Sequence, residues 1–255
     1  MSNEKSDSEL IKKMNEKDFN SRMSLTDLMF NAPIPKEELM NNIALFIDRR
    51  ILSRILFFDE MYAHIKDLHG SIIEFGTRYG PNLALLTSLR GIYEPYNHNR
   101  KIIAFDTFSG FPEVDAKDKN SKLNWVAGDY GVPENYENFL AKVLSEHESI
   151  SPISNIKKFE LVKGDVNKTV DHYFENRQES IIAMAYFDFD IYKPTKKCLE
   201  TIVPYLTRGA VLGFDEINVQ EWPGETMALR EVLGTKNFRI RQSVHRANAG
   251  YIIFE

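Results

Sequence analysis

The chain has a single cysteine, Cys198, among 255 residues, so no internal disulfide can form, and a reducing cytoplasm is the expected compartment. It has no apolar run of transmembrane length, and "MSNEKSDSELIKKMNEKDF" is too polar for a secretion signal, so no membrane association is expected. Basic residues are not in excess. The 32 Lys and Arg stand against 37 Asp and Glu, a formal net charge of −5, which offers no global field for nucleic acid. Internal repeats and low-complexity linkers are absent. What remains is the composition of a soluble globular protein, 43% hydrophobic and 27% charged, long enough for one large domain or a domain with an appendage.

The chain changes rhythm at Gly70. Upstream, residues 1 to about 20 are charged and weakly patterned, a frayed or helical arm. From Ser24 to about His69 apolar residues recur at three- and four-residue spacing, interrupted by Pro33 and Pro35. Downstream, short apolar runs alternate with helical segments. The runs are "SIIEFG" (71–76), "KIIAFD" (101–106), "KFELVKGD" (158–165), "IIAMAYFDFD" (181–190) and "AVLGFDE" (210–216), with helices expected near 81–92, 134–147, 166–176, 194–206 and 224–234. Such alternation implies a parallel sheet with helices on both faces. Two final runs, "FRIRQSV" (238–244) and "AGYIIFE" (249–255), have no helix between them and read as an antiparallel hairpin. The expected fold is α/β: a Rossmann-like, doubly wound, mostly parallel seven-stranded sheet with a C-terminal antiparallel hairpin and an N-terminal helical extension. The boundaries are 1–69 for the helical arm or lid and 70–255 for the sheet domain.

Ligands of a doubly wound sheet collect at the carboxyl ends of its strands. There "IIEFGTRYG" (72–80) places Glu74 at a strand end, Gly76 at the turn and Gly80 at the start of the next helix. Asp106 ends the second run, where a carboxylate can take both hydroxyls of a ribose. These residues read as one side of a nucleoside site, against the plainer reading of a turn and two solvated acids. A dinucleotide would want G-x-G-x-x-G, but Arg78 holds the middle glycine position. S-adenosylmethionine has no phosphates to cradle and suits the residues better.

Four more carboxylates follow on the same rim, Asp188 and Asp190 in "YFDFDIY" and Asp215 and Glu216 in "GFDEIN". Two acidic pairs on adjacent strand ends repel unless a positive charge lies between them. All-oxygen donors select a hard cation, Mg²⁺ with Mn²⁺ or Ca²⁺ as alternatives. If the strand continued through both, Asp188 and Asp190 would point to opposite faces. The division of labour then makes Asp188, Asp215 and Glu216 the metal ligands, and Asp190 the base or a support for them. Lys193 and His245 are rival bases, though a solvated helix-start lysine and a surface histidine are the plainer readings. Arg49, Arg50 and Arg54 could face an anionic substrate or simply form a solvated helix face.

The order E-x-G-x-x-x-G, "FDTFSGFP" (105–112), "GDYG" (128–131), "KGD" (163–165), D-x-D-x-Y and D-E resembles the TylF/macrocin-type O-methyltransferases over about residues 70–235. The family pattern D-G-D-L-Y-x-S-T is matched at Asp188, Asp190, Tyr192 and Thr195 of "DFDIYKPT", and its frequent Asp-Asp pair is Asp215-Glu216 here. The resemblance implies a class I, S-adenosylmethionine-dependent and Mg²⁺-dependent methyltransferase domain at 70–255. Glu74 and Gly76 would line the methionine part, Asp106 the ribose, and Asp165 the adenine amino group, or Asp165 would cap the following helix. Thr77, Gly80, Thr107, Phe108, Gly164 and Asp188 complete the expected cofactor contacts, and Asp188, Asp190 and, as a rival base, His245 are the candidate catalytic set. Phe108 and Phe111 could equally be packing residues. The implied acceptor is a hydroxyl of a small molecule, a sugar unit of a surface polysaccharide or glycosylated natural product. A phenolic or phosphorylated acceptor, and a catalytically silent cofactor-binding assembly module, are the alternatives. A nicotinamide-dependent dehydrogenase is disfavoured by Arg78. The N-terminal helices would serve as a lid or as a homo-oligomer contact.

Overall fold

The computed structural model describes residues 16–118 and 125–255. Residues 1–15, part of the expected arm, lie outside them. The chain divides into two compact units, Met1–Arg54 and Ile55–Glu255. In the first unit, α1 (Glu16–Phe30) is followed by α2 (Lys36–Leu39) and a 3₁₀ turn (Met40–Phe46). Pro33 and Pro35 fall in the break between the two helices, where a missing N–H costs no helical hydrogen bond. None of these helical residues is buried. The next helix, α3 (Arg49–Ala63), starts at Asp48, whose carboxylate accepts from the N–H groups of Arg50 (2.8 Å) and Ile51 (3.0 Å).

The second unit is built on a seven-stranded sheet of order β3-β2-β1-β4-β5-β7-β6. The strands are β1 (Ser71–Phe75), β2 (Ile102–Asp106), β3 (Phe159–Lys163), β4 (Ile182–Phe187), β5 (Leu206–Phe214), β6 (Arg241–Gln242) and β7 (Gly250–Ile253). The first five run parallel and β7 is antiparallel to both its neighbours. The helices between them are α4 (Pro81–Tyr93), α5 (Tyr136–Ser149), α6 (Val166–Glu175), α7 (Tyr192–Ile202) and α8 (Gly224–Val232). Burial on both faces explains why the central strands are apolar at nearly every position. One face packs Ile72, Met184 and Tyr186 under Phe57, Phe58 and Met61 of α3, Leu83 and Leu86 of α4, and Leu140 and Leu144 of α5. The other packs Ile73, Phe75, Phe187 and Phe214 under α6, α7 and α8.

Three boundaries differ from the sequence reading. The helix expected over 194–206 ends at Ile202, because Pro204 supplies no N–H, and a 3₁₀ turn (Val203–Tyr205) leads into β5. Of "FRIRQSV" only Arg241 and Gln242 pair with β7, so β6 is a short edge. The run 181–190 stops being a strand at Phe187, since β1 and β5 offer it no register partner beyond Phe75 and Phe214. Asp188 and Asp190 therefore lie past the strand, and the alternation that would have put them on opposite faces does not apply.

Candidate active site

Three phenylalanines in register end the central strands. Phe187 stacks between Phe75 (centroids 5.0 Å, 28°) and Phe214 (5.0 Å, 10°). This aromatic floor, worth about 0.5–1.5 kcal/mol per pair beyond burial, fixes the level at which the chain leaves the sheet. The ladder continues one residue further, with Asp188 N–H donating to Phe75 (2.8 Å) and Asp215 N–H to Phe187 (3.0 Å). The order of the strands reverses between β1 and β4, so the crevice expected of a doubly wound sheet opens here.

Gly76 makes that crevice tight. Its φ is 88°, and a Cβ there would stand 2.1 Å from the carbonyl oxygen of Asp188, so no other residue fits. Asp106 holds the same turn from the β2 side. One of its oxygens accepts from the N–H groups of Thr77 (2.7 Å) and Arg78 (2.8 Å), the other from Phe108 N–H (2.5 Å). Thr107 shapes the next turn by donating to Gly110 O (2.6 Å). Gly80 carries φ 78° at the start of α4, and a Cβ would meet Leu140 Cδ1 at 2.4 Å.

Glu74 is 0% exposed. Neither of its carboxylate oxygens has a partner in hydrogen-bonding geometry, although Asn82 and Thr77 lie close enough to ease its charge. Burial first, and then the nearby Asp188, push its carboxyl well above the ordinary value of 4.5. Asn82, two residues into α4, is also buried and donates to Asp188 Oδ2 (3.3 Å). A buried acid without a partner is costly, and this one stands at the strand end beside a glycine turn.

The acidic rim is stitched together by Glu225. This fully buried residue of α8 accepts from Asp190 N–H (3.2 Å) with one oxygen and from Glu216 N–H (3.1 Å) with the other. Burial, then Asp190 and Asp215, raise its carboxyl well above 4.5. Asp215 itself accepts from the Tyr186 hydroxyl and from Arg246, at 2.8 Å to Nη1 and 3.2 Å to Nη2. Over the rim lies an aromatic roof. Trp125 stacks on Trp222 (4.3 Å, 23°), Tyr130 packs against both and against Phe111, and the Arg78 guanidinium sits 4.8 Å from the Tyr130 ring. The "FSGFP" and "GDYG" stretches pair with each other, Phe111 N–H to Asp129 O (3.0 Å) and Gly128 N–H to Phe111 O (2.9 Å). Seven non-glycine residues have positive φ among the described residues, and Arg78, Phe108, Tyr130 and Asp190 are at this site, so backbone strain is concentrated here.

The structure thus brings together Glu74, Gly76, Thr77, Gly80, Asp106, Thr107, Phe108, Asp188, Asp190, Asp215 and Glu216. Gly164 joins from β3, its N–H donating to Asp106 O (2.9 Å). Asp165 caps α6 through Asn167 N–H (3.0 Å). Lys193 is ion-paired with Glu113 (2.9 Å) and Asp115 (3.5 Å), and Glu113 holds it in the protonated form. His245 is exposed in the turn before β7, next to Arg246. Sequence reasoning missed Asn82, Glu225, Tyr186 and Arg246. A polar residue in the first turn of α4 was the signal for Asn82, and no local pattern announces the other three.

All-oxygen donors suit a hard cation, but the arrangement does not. Among the described residues no three His, Cys, Asp or Glu side chains converge as a ligand set, and Asp215 is taken up by Arg246 and Tyr186. Nor, among the described residues, is any helix long and apolar enough to cross a membrane.

A parallel sheet with a glycine turn after β1, acids ending β1 and β2 and an antiparallel β7 defines the class I methyltransferase architecture. No family model matches the chain, and no curated protein matches it. Solved structures do. CalS11, a calicheamicin methyltransferase, is 40% identical with a TM-score of 0.91, covering 94% of this chain and 93% of its own. An apo structure of CalS11, described as a TDP-rhamnose 3'-O-methyltransferase, is 38% identical with a TM-score of 0.83, covering 94% and 95%. The O-methyltransferase NovP shares the fold at 15% identity and a TM-score of 0.60 over 80% of each chain. The chain belongs to the class I S-adenosylmethionine-dependent O-methyltransferases, in the family of CalS11 and the TylF/macrocin-type enzymes.

Proposed function

We propose that this methyltransferase methylates a hydroxyl of a sugar unit, presented as a nucleotide sugar or a glycoside. The buried, partnerless Glu74 carboxylate beside the Gly76 turn carries the donor half of the reading, because it suits the ammonium group of S-adenosylmethionine. The acceptor half is supported by the similarity to CalS11, a TDP-rhamnose 3'-O-methyltransferase.

S-adenosylmethionine supplies an electrophilic methyl group when bound. The residues of the chain do the rest. Glu74 receives the positive amino-acid end, and Asn82 spans from it toward Asp188. Asp106 keeps the Thr77–Arg78 turn in place beside the ribose. Trp125, Tyr130 and Trp222 exclude water from the rim and offer flat faces to a sugar ring. Asp190, whose backbone N–H Glu225 holds at φ 62°, would accept the proton of the acceptor hydroxyl as the hydroxyl oxygen takes the methyl group and the methyl–sulfur bond of the bound donor breaks, the sulfur leaving as a neutral thioether.

A divalent cation, Mg²⁺ with Mn²⁺ or Ca²⁺ as alternatives, would meet Asp188, Asp215 and Glu216 only with Asp215 released from Arg246. Exposed Leu28, Phe30, Met40 and Leu45 in the first unit support a homo-oligomer through the N-terminal helices.

The test is Asp190→Asn. It should lower kcat by about 10²–10⁴-fold and remove the acid limb of the kcat–pH profile, while the affinity for S-adenosylmethionine stays unchanged. An unaltered pH profile would take the proton-accepting role away from Asp190.

A further inference from the structure

Every second N–H of the chain that leaves β4 is taken by a group outside it. Asp188 N–H donates to Phe75 O (2.8 Å), Asp190 N–H to Glu225 Oε1 (3.2 Å) and Tyr192 N–H to Asp118 Oδ1 (2.7 Å). The last two acceptors are carboxylates of buried residues, Glu225 at 0% and Asp118 at 3% exposure. Neither is a near neighbour in the chain. Glu225 stands in the first turn of α8, and Asp118 lies 74 residues before Tyr192. Each carboxylate uses both oxygens, Glu225 Oε2 accepting from Glu216 N–H (3.1 Å) and Asp118 Oδ2 from Asp115 N–H (3.1 Å). Ile191, at the N-cap of α7, has no side chain that could cap it, and Asp118 takes its place from another segment. The two carboxylates meet the turn at Gly224, where a Cβ would stand 2.6 Å from Asp118 Oδ1 and 2.6 Å from Tyr192 N. The missing side chain lets α8 come close enough for the adjacent Glu225 to reach Asp190. Lys117 ties the Asp118 segment to the same helix through Glu231 (2.7 Å).

We infer that Glu225 and Asp118 are positioning residues that hold Asp190 where it meets the acceptor hydroxyl. The inference rests on the reading of Asp190 as the proton acceptor. Asp190 has φ 62°, a left-handed conformation that a residue with a Cβ adopts at a cost and keeps only where its surroundings over-determine it. Here they do. Its own N–H is held from α8, the residue two before it from β1, and the residue two after it by Asp118. Phe189, immediately before it, packs its ring on Phe75 (centroids 5.9 Å). Without Glu225 the Asp190 backbone can relax toward the right-handed region, and the side chain swings with the backbone that carries it. Proton transfer needs hydrogen-bonding distance, so a small displacement of the carboxylate is felt in the rate. None of the bonds made by Glu225 and Asp118 runs to Glu74, Asp106 or the Thr77–Arg78 turn, so the loss falls on turnover rather than on S-adenosylmethionine binding. A carboxylate offers two acceptor oxygens and an amide of the same shape only one. Glu225→Gln therefore keeps half of its clamp and Asp118→Asn half of its own, whereas Glu225→Met keeps the length of the side chain and none of its acceptors.

The test compares wild type with Glu225→Met, Glu225→Gln, Asp118→Asn, Asp190→Asn and the double variant Glu225→Met/Asp190→Asn, with thermal melts to show that each is folded. Glu225→Gln replaces Glu225→Met throughout if the methionine variant does not fold. The first readout is amide hydrogen exchange by NMR without ligands. Exchange at Asp190 should speed up about tenfold or more in the Glu225 variants, and exchange at Tyr192 in Asp118→Asn. The second is methylation of TDP-rhamnose, with S-adenosylmethionine affinity measured by calorimetry on the same samples. In Glu225→Met kcat should fall about 10- to 100-fold at unchanged S-adenosylmethionine affinity, with smaller losses in the two amide variants. A residue that acts through Asp190 has little left to lose once Asp190 cannot take a proton. The double variant should therefore be no slower than Asp190→Asn alone, a coupling that a merely structural role does not produce. Wild-type kcat in the folded Glu225 variants, losses that multiply in the double variant, or failure of the Glu225 and Asp118 variants alike to fold overturns the inference. Wild-type kcat in Asp190→Asn refutes the proton-accepting role itself, and the inference falls with it. If wild type leaves TDP-rhamnose unmodified, the acceptor reading fails, and exchange at Asp190 then decides the clamp: faster in the Glu225 variants supports it, unchanged overturns it.

Discussion

The substitution Glu74→Gln keeps the shape of the side chain and removes its charge. Glu74 is fully buried without a hydrogen-bonding partner, and its folded carboxyl titrates well above the ordinary value of 4.5. A raised folded value means that the protonated form suits the fold. The stability Glu74 allows is fully present below the unfolded value and is lost as pH rises through the folded one. At alkaline pH the chain must bury a bare carboxylate next to Asp188. Glutamine never ionises, and its amide can donate to that neighbour. The relief expected at pH 8 is about 1–3 kcal/mol, the cost of an unsatisfied buried polar group. For a unit of this size that is about 2–4 °C in Tm for each kcal/mol. Glu225 titrates in the same direction, so wild type also loses stability as pH rises, and only the difference between variant and wild type isolates Glu74. Melts from pH 5 to pH 9 should show a gain that grows with pH. Calorimetry should show S-adenosylmethionine binding weakened by about 10- to 150-fold, the loss of a charge-assisted hydrogen bond of about 1.5–3 kcal/mol. A gain independent of pH would refute the claim that Glu74 is a strained buried acid. An unchanged affinity would refute the claim that its strain exists for the ligand.

Two further substitutions probe the frame of the site. Asp106→Ala removes the acceptor of three backbone N–H groups, at Thr77, Arg78 and Phe108, and should cost about 1–3 kcal/mol in urea denaturation while weakening S-adenosylmethionine binding. Gly76→Ala places a methyl group 2.1 Å from the Asp188 carbonyl, and the protein should be recovered with a strongly lowered Tm or not at all.

The sheet was readable in the sequence because its central strands are buried on both faces, which writes "SIIEFG" and "IIAMAYFDFD" as apolar runs between helical periods. The acidic rim was readable because its carboxylates end apolar runs, as Glu74, Asp106 and Asp215 illustrate. What escaped is what long-range packing decides. Glu225 sits in an ordinary-looking first turn of α8, and only the return of that helix brings it under the Asp190 and Glu216 backbones. Arg246 is one basic residue in an exposed turn until the antiparallel pairing of β7 with β5 carries it to Asp215. The sequence showed the four carboxylates but not the guanidinium of Arg246 that pairs with one of them, Asp215.

The measurement closest to the central claim is mass spectrometry of TDP-rhamnose and related nucleotide sugars after incubation with the protein and S-adenosylmethionine, with and without added Mg²⁺. The account predicts a sugar heavier by one methylene unit, carried on an oxygen, and product formed about 10²–10⁴-fold more slowly by Asp190→Asn under the same conditions. Methylation of phenolic acceptors with every nucleotide sugar and glycoside left unmodified would contradict it.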